Sequence, residues 1–194
     1  MKSEDNIRRI FLAVPAPAEI VSLQDKLRAD NSSLKRVKWM RNHNIHLTVY
    51  FIGNVPAEQF ETIIEAIIPV INTQKEFTLK YDSLCFAPSR KPRMIWVKYK
   101  KHDAFAFLSE SIHYSLRKFI PRNKFYFKEP IPHITLARFH SMKNYRDIKL
   151  PERFFLPDII VNSCELWETV REEGRSNYKN IMRFNFNRES YELN

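Results

Sequence analysis

Two short stretches of the chain repeat one another: Ile45-His46-Leu47-Thr48-Val49 and Pro132-His133-Ile134-Thr135-Leu136. With 6 His in 194 residues and as many Thr, a His-x-Thr triplet arises by chance about 0.2 times. Two of them, each flanked by apolar residues and a little under half the chain apart, call for a mechanism. In an extended strand, residues two apart face the same way. His46 and Thr48 therefore project together while Ile45, Leu47 and Val49 face a core, and His133 and Thr135 repeat this against Ile134 and Leu136. If the two polar faces meet, two imidazoles and two hydroxyls converge without a carboxylate, a thiolate or a metal-ligand set. Such a group suits in-line displacement at phosphorus, one imidazole taking a proton from the attacking water and the other giving one to the leaving oxygen. An ordinary imidazole pKa of about 6.5 lets one ring be neutral and the other protonated near neutral pH. The threonine hydroxyls can then donate to the non-bridging oxygens as negative charge builds there.

Five residues after each histidine stand Phe51 and Arg138. An aromatic ring and a guanidinium plane both stack on nucleobases, and Arg138 can instead pair with a phosphate. Strict alternation turns both residues away from His and Thr, so a role at the same site requires a bulge or strong twist after Thr48 and Thr135. Without one, Phe51 reads as a core aromatic.

The elements that must position these residues are legible from patterning. Strand character covers 10–14, 36–40, 45–53, 76–86, 93–99, 132–139, 158–170 and 178–186, rich in β-branched and aromatic residues and bounded by Pro, Asn, Asp and Gly. Helical patterns cover 17–30, 56–72 and 103–120. The second places Pro56 and Glu58 in its first turn and Ile63, Ile64, Ile67, Ile68 and Ile71 at helical spacing. Paired strands separated by helices, without regular βα alternation, predict an α+β fold. The doubled motif predicts one domain over 1–194 with two pseudo-symmetric antiparallel lobes, helices outside and a cleft between them. The last two strands read as a hairpin whose polar tip, 171–177, is placed to cover a site.

Composition narrows the function classes. The chain has only 2 Gly, Gly53 and Gly174, far apart, which excludes the glycine-rich phosphate loops of P-loop and dinucleotide-binding proteins. A 44% apolar content excludes intrinsic disorder. The net charge of +10 is spread through the body of the chain and suits a polyanionic partner. Cys85 and Cys164 form no disulfide framework and read as buried free thiols, and the charged N-terminus has no apolar signal stretch, so a cytoplasmic location is expected. No apolar run is long enough to span a bilayer as a helix. His43 and His46 form His-x-x-His, but in a loop leading into a strand and without a nearby Cys or carboxylate, so no metal is expected. His102, His113 and His140 read as structural or surface residues.

On these motifs, and on the segments RRIFLAVPAP, VKWMRNHNIHLTVYFIGNVPAE, FAPSRKPRMIWVKY and FKEPIPHITLARF, the sequence resembles the two-histidine (2H) phosphoesterases, specifically the LigT-like RNA 2′,3′-cyclic phosphodiesterases, formerly called 2′-5′ RNA ligases. The likeness runs over most of residues 8–187. It implies a bilobal α+β fold and hydrolysis of RNA 2′,3′-cyclic phosphate ends to 2′-phosphates without metal or other cofactor. Some members also carry out reversible 2′-5′ ligation. His46 and His133 match the family's catalytic pair, with His46 as acid on the departing 3′ oxygen and His133 as base. Thr48 and Thr135 match its phosphate-binding residues, and Arg138 and Phe51 match its substrate-binding positions. The expected partners are RNA ends or nucleotides bearing a 2′,3′-cyclic phosphate, met by a monomer away from membranes. Two other readings remain at this stage: a nucleotide- or RNA-binding module without turnover, and a phosphodiesterase for 2′-5′ oligoadenylates or small cyclic nucleotides.

Overall fold

The computed structural model describes residues 7–120, 126–139, 145, 147–151, 156–172, 175–186 and 191–193. His140 and Gly174 lie outside them. In chain order the elements are β1 (Ile7–Pro15), α1 (Ala18–Asp30), β2 (Val37–Trp39), β3 (His46–Pro56), α2 (Phe60–Asn72), β4 (Phe77–Leu79) and β5 (Tyr81–Ala87). There follow β6 (Met94–Tyr99), α3 (Asp103–Ser115), β7 (His133–Phe139), β8 (Ile159–Val161), β9 (Ser163–Glu172), β10 (Arg175–Asn185) and β11 (Tyr191–Leu193). The class is α+β. Among the described residues, nine strands form one antiparallel path, β11-β10-β9-β1-β3-β7-β6-β5 with β2 on β7, and β4 and β8 make a separate pair.

Four expected elements differ in extent. The runs 76–86 and 158–170 each break in two, because Phe77–Leu79 and Ile159–Val161 pair with each other off the main sheet while β5 and β9 join it. Pro56 stays extended as the last residue of β3, and a 3-10 turn over Ala57–Gln59 precedes α2, so Glu61 rather than Glu58 occupies its first turn. Helix α3 ends at Ser115, short of residue 120.

The sheet has two unlike faces. On one, Ile10, Leu12, Leu47, Val49, Ile134 and Leu136 pack with Ile63, Ile67 and Ile71 of α2, Phe105, Leu108 and Ile112 of α3, and Leu23 and Leu27 of α1. On the other, Phe11, Ala13 and Trp167 form a small cluster with Tyr178 against it. Alternation along β1 explains the division, since Phe11 and Ala13 sit between Ile10, Leu12 and Val14. The two halves of the path meet between β3 and β7 at one register pair, Leu47 with Ile134. Both side chains are fully buried, and truncating either to Ala costs about 2–5 kcal/mol at the joint that holds the two motif strands together.

Candidate functional site

The Leu47–Ile134 pair fixes the geometry of the site. Both face the helix-covered core, so their chain neighbours face the other way. Stepping one residue either way along the antiparallel strands from that pair turns His46 toward the Thr135 end and Thr48 toward the His133 end. The two His-x-Thr motifs thus lie on one face in opposite order.

Each ring is anchored the same way. His46 Nδ1 lies 2.8 Å from the carbonyl oxygen of Asn44, and His133 Nδ1 lies 2.7 Å from that of Ile131. A carbonyl only accepts, so each Nδ1 carries the proton, and in the neutral ring Nε2 is left as the acceptor. At His46 that acceptor is met by the Thr48 hydroxyl, with Oγ1 3.1 Å from Nε2. The Asn44 carbonyl is itself held in place: Asn44 is buried, its Oδ1 accepts from Tyr178 N–H at 3.1 Å and its Nδ2 donates to the Ser176 carbonyl at 3.4 Å. His43 Nε2 lies 2.6 Å from Asn177 Oδ1. The turn before β3 is therefore fastened to the β9–β10 hairpin, and the hairpin takes part in aiming His46.

The surroundings of the two rings differ. His46 is ringed by Phe11, Trp167 and Tyr178, with centroids 5.0, 5.1 and 5.2 Å away. Burial there, together with the charges of His133 and Arg138, outweighs the Asn44 carbonyl and pushes its pKa down to about 4. His133 instead lies against one indole, Trp96, with centroids 3.7 Å apart and planes 25° apart. Its pKa is also lowered, by burial and by Arg138, against the Ile131 carbonyl.

The bulges that Phe51 and Arg138 require are present. In the β1–β3 ladder Ala13 pairs with Thr48 and Leu12 with Tyr50, leaving Val49 as the extra residue, and a second shift leaves Ile52 unpaired before Gly53, whose φ is +94°. Phe51 then pairs with Phe11, two residues from Ala13, and so returns to the face of Thr48. Its ring is 5.5 Å from Phe11 and is 61% exposed, so it is not the core aromatic that alternation alone gives. In the β6–β7 ladder Trp96 pairs with Thr135 and Ile95 with Ala137, leaving Leu136 as the extra residue. Arg138 pairs with Met94 and shares the face of Trp96 and Thr135. All six residues singled out from the sequence therefore share one face of one sheet.

Four more residues belong to that face and escaped the sequence reading: Phe11, Trp96, Trp167 and Tyr178. The available signal was the run Ile10–Val14, apolar at every position, which marks a strand covered on both faces. The remaining described histidines serve elsewhere. His102 Nδ1 accepts from the Ala104 N–H at the start of α3, and His113 is buried with Nδ1 2.8 Å from the Tyr50 hydroxyl. Cys164 is buried, whereas Cys85 is only half-buried, because its strand lies at the edge of the sheet; neither forms a disulfide.

Residues 10–96 match the model of the LigT-like phosphoesterase family. An RNA 2′,3′-cyclic phosphodiesterase of Thermotoga maritima is 29% identical over 163 residues, 79% of this chain and 81% of that protein. One of Geobacillus stearothermophilus is 29% identical over 133 residues, 66% of this chain, and the match spans only 41% of that longer relative. Among solved structures, apo LigT of E. coli superposes with a TM-score of 0.75 at 22% identity, covering 94% of this chain and 99% of that one. The same protein complexed with 3′-AMP gives 0.72 at 23% identity, with the same coverage.

Proposed function

We propose that this chain, which is similar to the LigT-like phosphoesterases in sequence and in fold, hydrolyses RNA 2′,3′-cyclic phosphate ends to 2′-phosphates. The observation that carries the reading is the pair of imidazoles on facing strands, each with Nδ1–H held by a main-chain carbonyl and Nε2 turned to accept. The names of the relatives and the capture of 3′-AMP by E. coli LigT support the substrate class.

In the proposed reaction His133 Nε2 takes a proton from water as its oxygen bonds to phosphorus. The bond from phosphorus to the 3′ oxygen breaks, and protonated His46 gives its Nε2 proton to that oxygen, leaving a 3′-hydroxyl and a 2′-phosphate. The free protein holds His46 neutral, since burial pushes its pKa to about 4. A bound phosphate anion opposes that shift, because a nearby negative charge favours the imidazolium. Once Nε2 is protonated it no longer accepts from Thr48, and the freed hydroxyl turns to a non-bridging oxygen. Loading the acid and arming the phosphate contact are thus one event. Thr135 donates to the phosphate from the other strand, Arg138 offsets its charge, and the exposed ring of Phe51 stacks on the base.

The test is incubation of the purified protein with a short RNA ending in a 2′,3′-cyclic phosphate, in the presence of EDTA. A terminal 2′-phosphate is the expected product. Tight binding of that RNA with no turnover would instead establish a binding module, and turnover confined to 2′-5′ oligoadenylates or small cyclic nucleotides would move the activity to those substrates.

A further inference from the structure

Residues 31–57, 83–102 and 130–146 contain no Asp or Glu, although the chain has 22 of them. These three stretches are the ones that carry β2 with β3, most of β5 with β6, and β7. The acid-free regions, scattered in sequence, are neighbours in the sheet.

Most of their described cations collect at one end of it. Strand β2 pairs with β7 through Lys38 and Arg138, and β6 pairs with β7 from the other side through Met94 and Arg138. Both neighbours run antiparallel to β7, so the residues entering them, Lys35 and Arg36 before β2 and Arg90, Lys91 and Arg93 before β6, flank the end where β7 leaves the sheet. The Phe139 N–H donates to the Arg93 carbonyl at 2.8 Å and secures that end. Lys35, Arg36, Lys38, Arg90, Lys91 and Arg93 are all exposed, and among the described residues none is paired with a carboxylate. Lys98, at the opposite end of β6, is by contrast neutralised by Asp82 at 2.8 Å.

Deepening the reading above, on which it rests, we propose that the cationic end of β7, with Lys38 and the segments entering β2 and β6, is a track for the phosphates of single-stranded RNA upstream of the cyclic end. The strip begins on the candidate site's own face, where Lys38 stands level with Arg138. It continues about 13 Å from Thr135 to Phe139 at the usual strand rise, beyond the reach of one nucleotide. Unneutralised exposed cations bind nucleic acid by releasing its condensed counterions. The exposed ring of Phe51 on the same face supplies the stacking surface that a single strand, and not an acidic polypeptide, exploits.

The experiment compares wild type with the variant Arg36→Gln/Lys38→Gln/Lys91→Gln and with a control, Lys75→Gln/Arg117→Gln/Lys118→Gln, which removes equal charge after α2 and α3. The probes are a labelled single-stranded RNA of about ten nucleotides ending in a cyclic phosphate, and a nucleoside 2′,3′-cyclic monophosphate. Anisotropy of the RNA between about 0.05 and 0.2 M salt should show affinity at least tenfold weaker for the track variant, with a log–log salt slope shallower by about 2, since each phosphate contact on a single strand contributes about 0.7. The control should behave as wild type, and turnover of the monophosphate should stay within twofold in all three proteins. An unchanged salt slope, an equal loss in the control, or a polyglutamate of matched charge binding as tightly as the RNA overturns the track. Because affinity is read without turnover, absence of any product counts against the hydrolytic reading while the anisotropy still decides the track.

Discussion

Strands β3 and β7 carry the same His-x-Thr chemistry, the same carbonyl anchor at Nδ1 and the same bulge after the threonine, yet they present their histidines to unlike neighbourhoods. His46 sits among three aromatic rings on the β1–β9–β10 side. His133 has one stacked indole, and Arg138 lies on its own strand. A repeated motif thus supplies two identical groups, and packing from different strands makes them unequal. The lesson is that pseudo-symmetry in sequence need not mean interchangeable roles: an acid and a base can be built from one motif by changing what surrounds it.

The comparison is broken most severely by removing either ring. His46→Ala and His133→Ala should each lower turnover of a cyclic-phosphate RNA at least a hundredfold, the usual worth of a positioned acid or base. Losses under tenfold in both, measured at saturating substrate, would take the pair out of the mechanism.

The threonines sharpen it. Thr135→Val should cost about a hundredfold in kcat, as for one oxyanion donor. Thr48→Val should cost less, because in the free protein the same hydroxyl is bonded to His46 Nε2 at 3.1 Å, a bond that must break before the acid is loaded. Equal losses would show that the Thr48–His46 bond has no part in the reaction.

The smallest effect concerns stability. With its pKa lowered from 6.5 to about 4, folded His46 binds fewer protons than the unfolded chain between those values. Its contribution to stability is therefore present above pH 6.5 and lost as the pH falls toward 4. The thermal midpoint of wild type should fall more steeply over that window than that of His46→Gln, by a few degrees at about 2–4 °C per kcal/mol. His133→Gln should deviate in the same direction, since its pKa is also lowered. Parallel curves for wild type and His46→Gln would contradict the burial of that ring.

Much of this was legible in local pattern. Period-two spacing put His46 with Thr48 and His133 with Thr135, and set Leu47 and Ile134 against the core where both are fully buried. The isoleucines of α2 followed helical spacing to the same core, with Ile68 half-buried at its margin. Element ends were less legible, because they depend on partners: nothing local separates Phe77–Leu79 from Tyr81–Ala87 until β8 claims the first. For Phe51 and Arg138, sequence could state only the condition, a bulge after each threonine. The ladders supply it at Val49 and Leu136.

By itself, then, the sequence determined the chemistry on offer: two imidazoles and two hydroxyls on strand faces, no glycine-rich phosphate loop, and a surplus of cations. These follow from residue type and strand periodicity, which are local. Tertiary structure alone decided that the motif strands meet at Leu47 and Ile134, that Phe11, Trp167 and Tyr178 desolvate one ring while Trp96 stacks on the other, and that the cations of two separate stretches gather beside Arg138. Each of these depends on pairing between strands remote in the chain, and no local propensity encodes which strand will lie beside which.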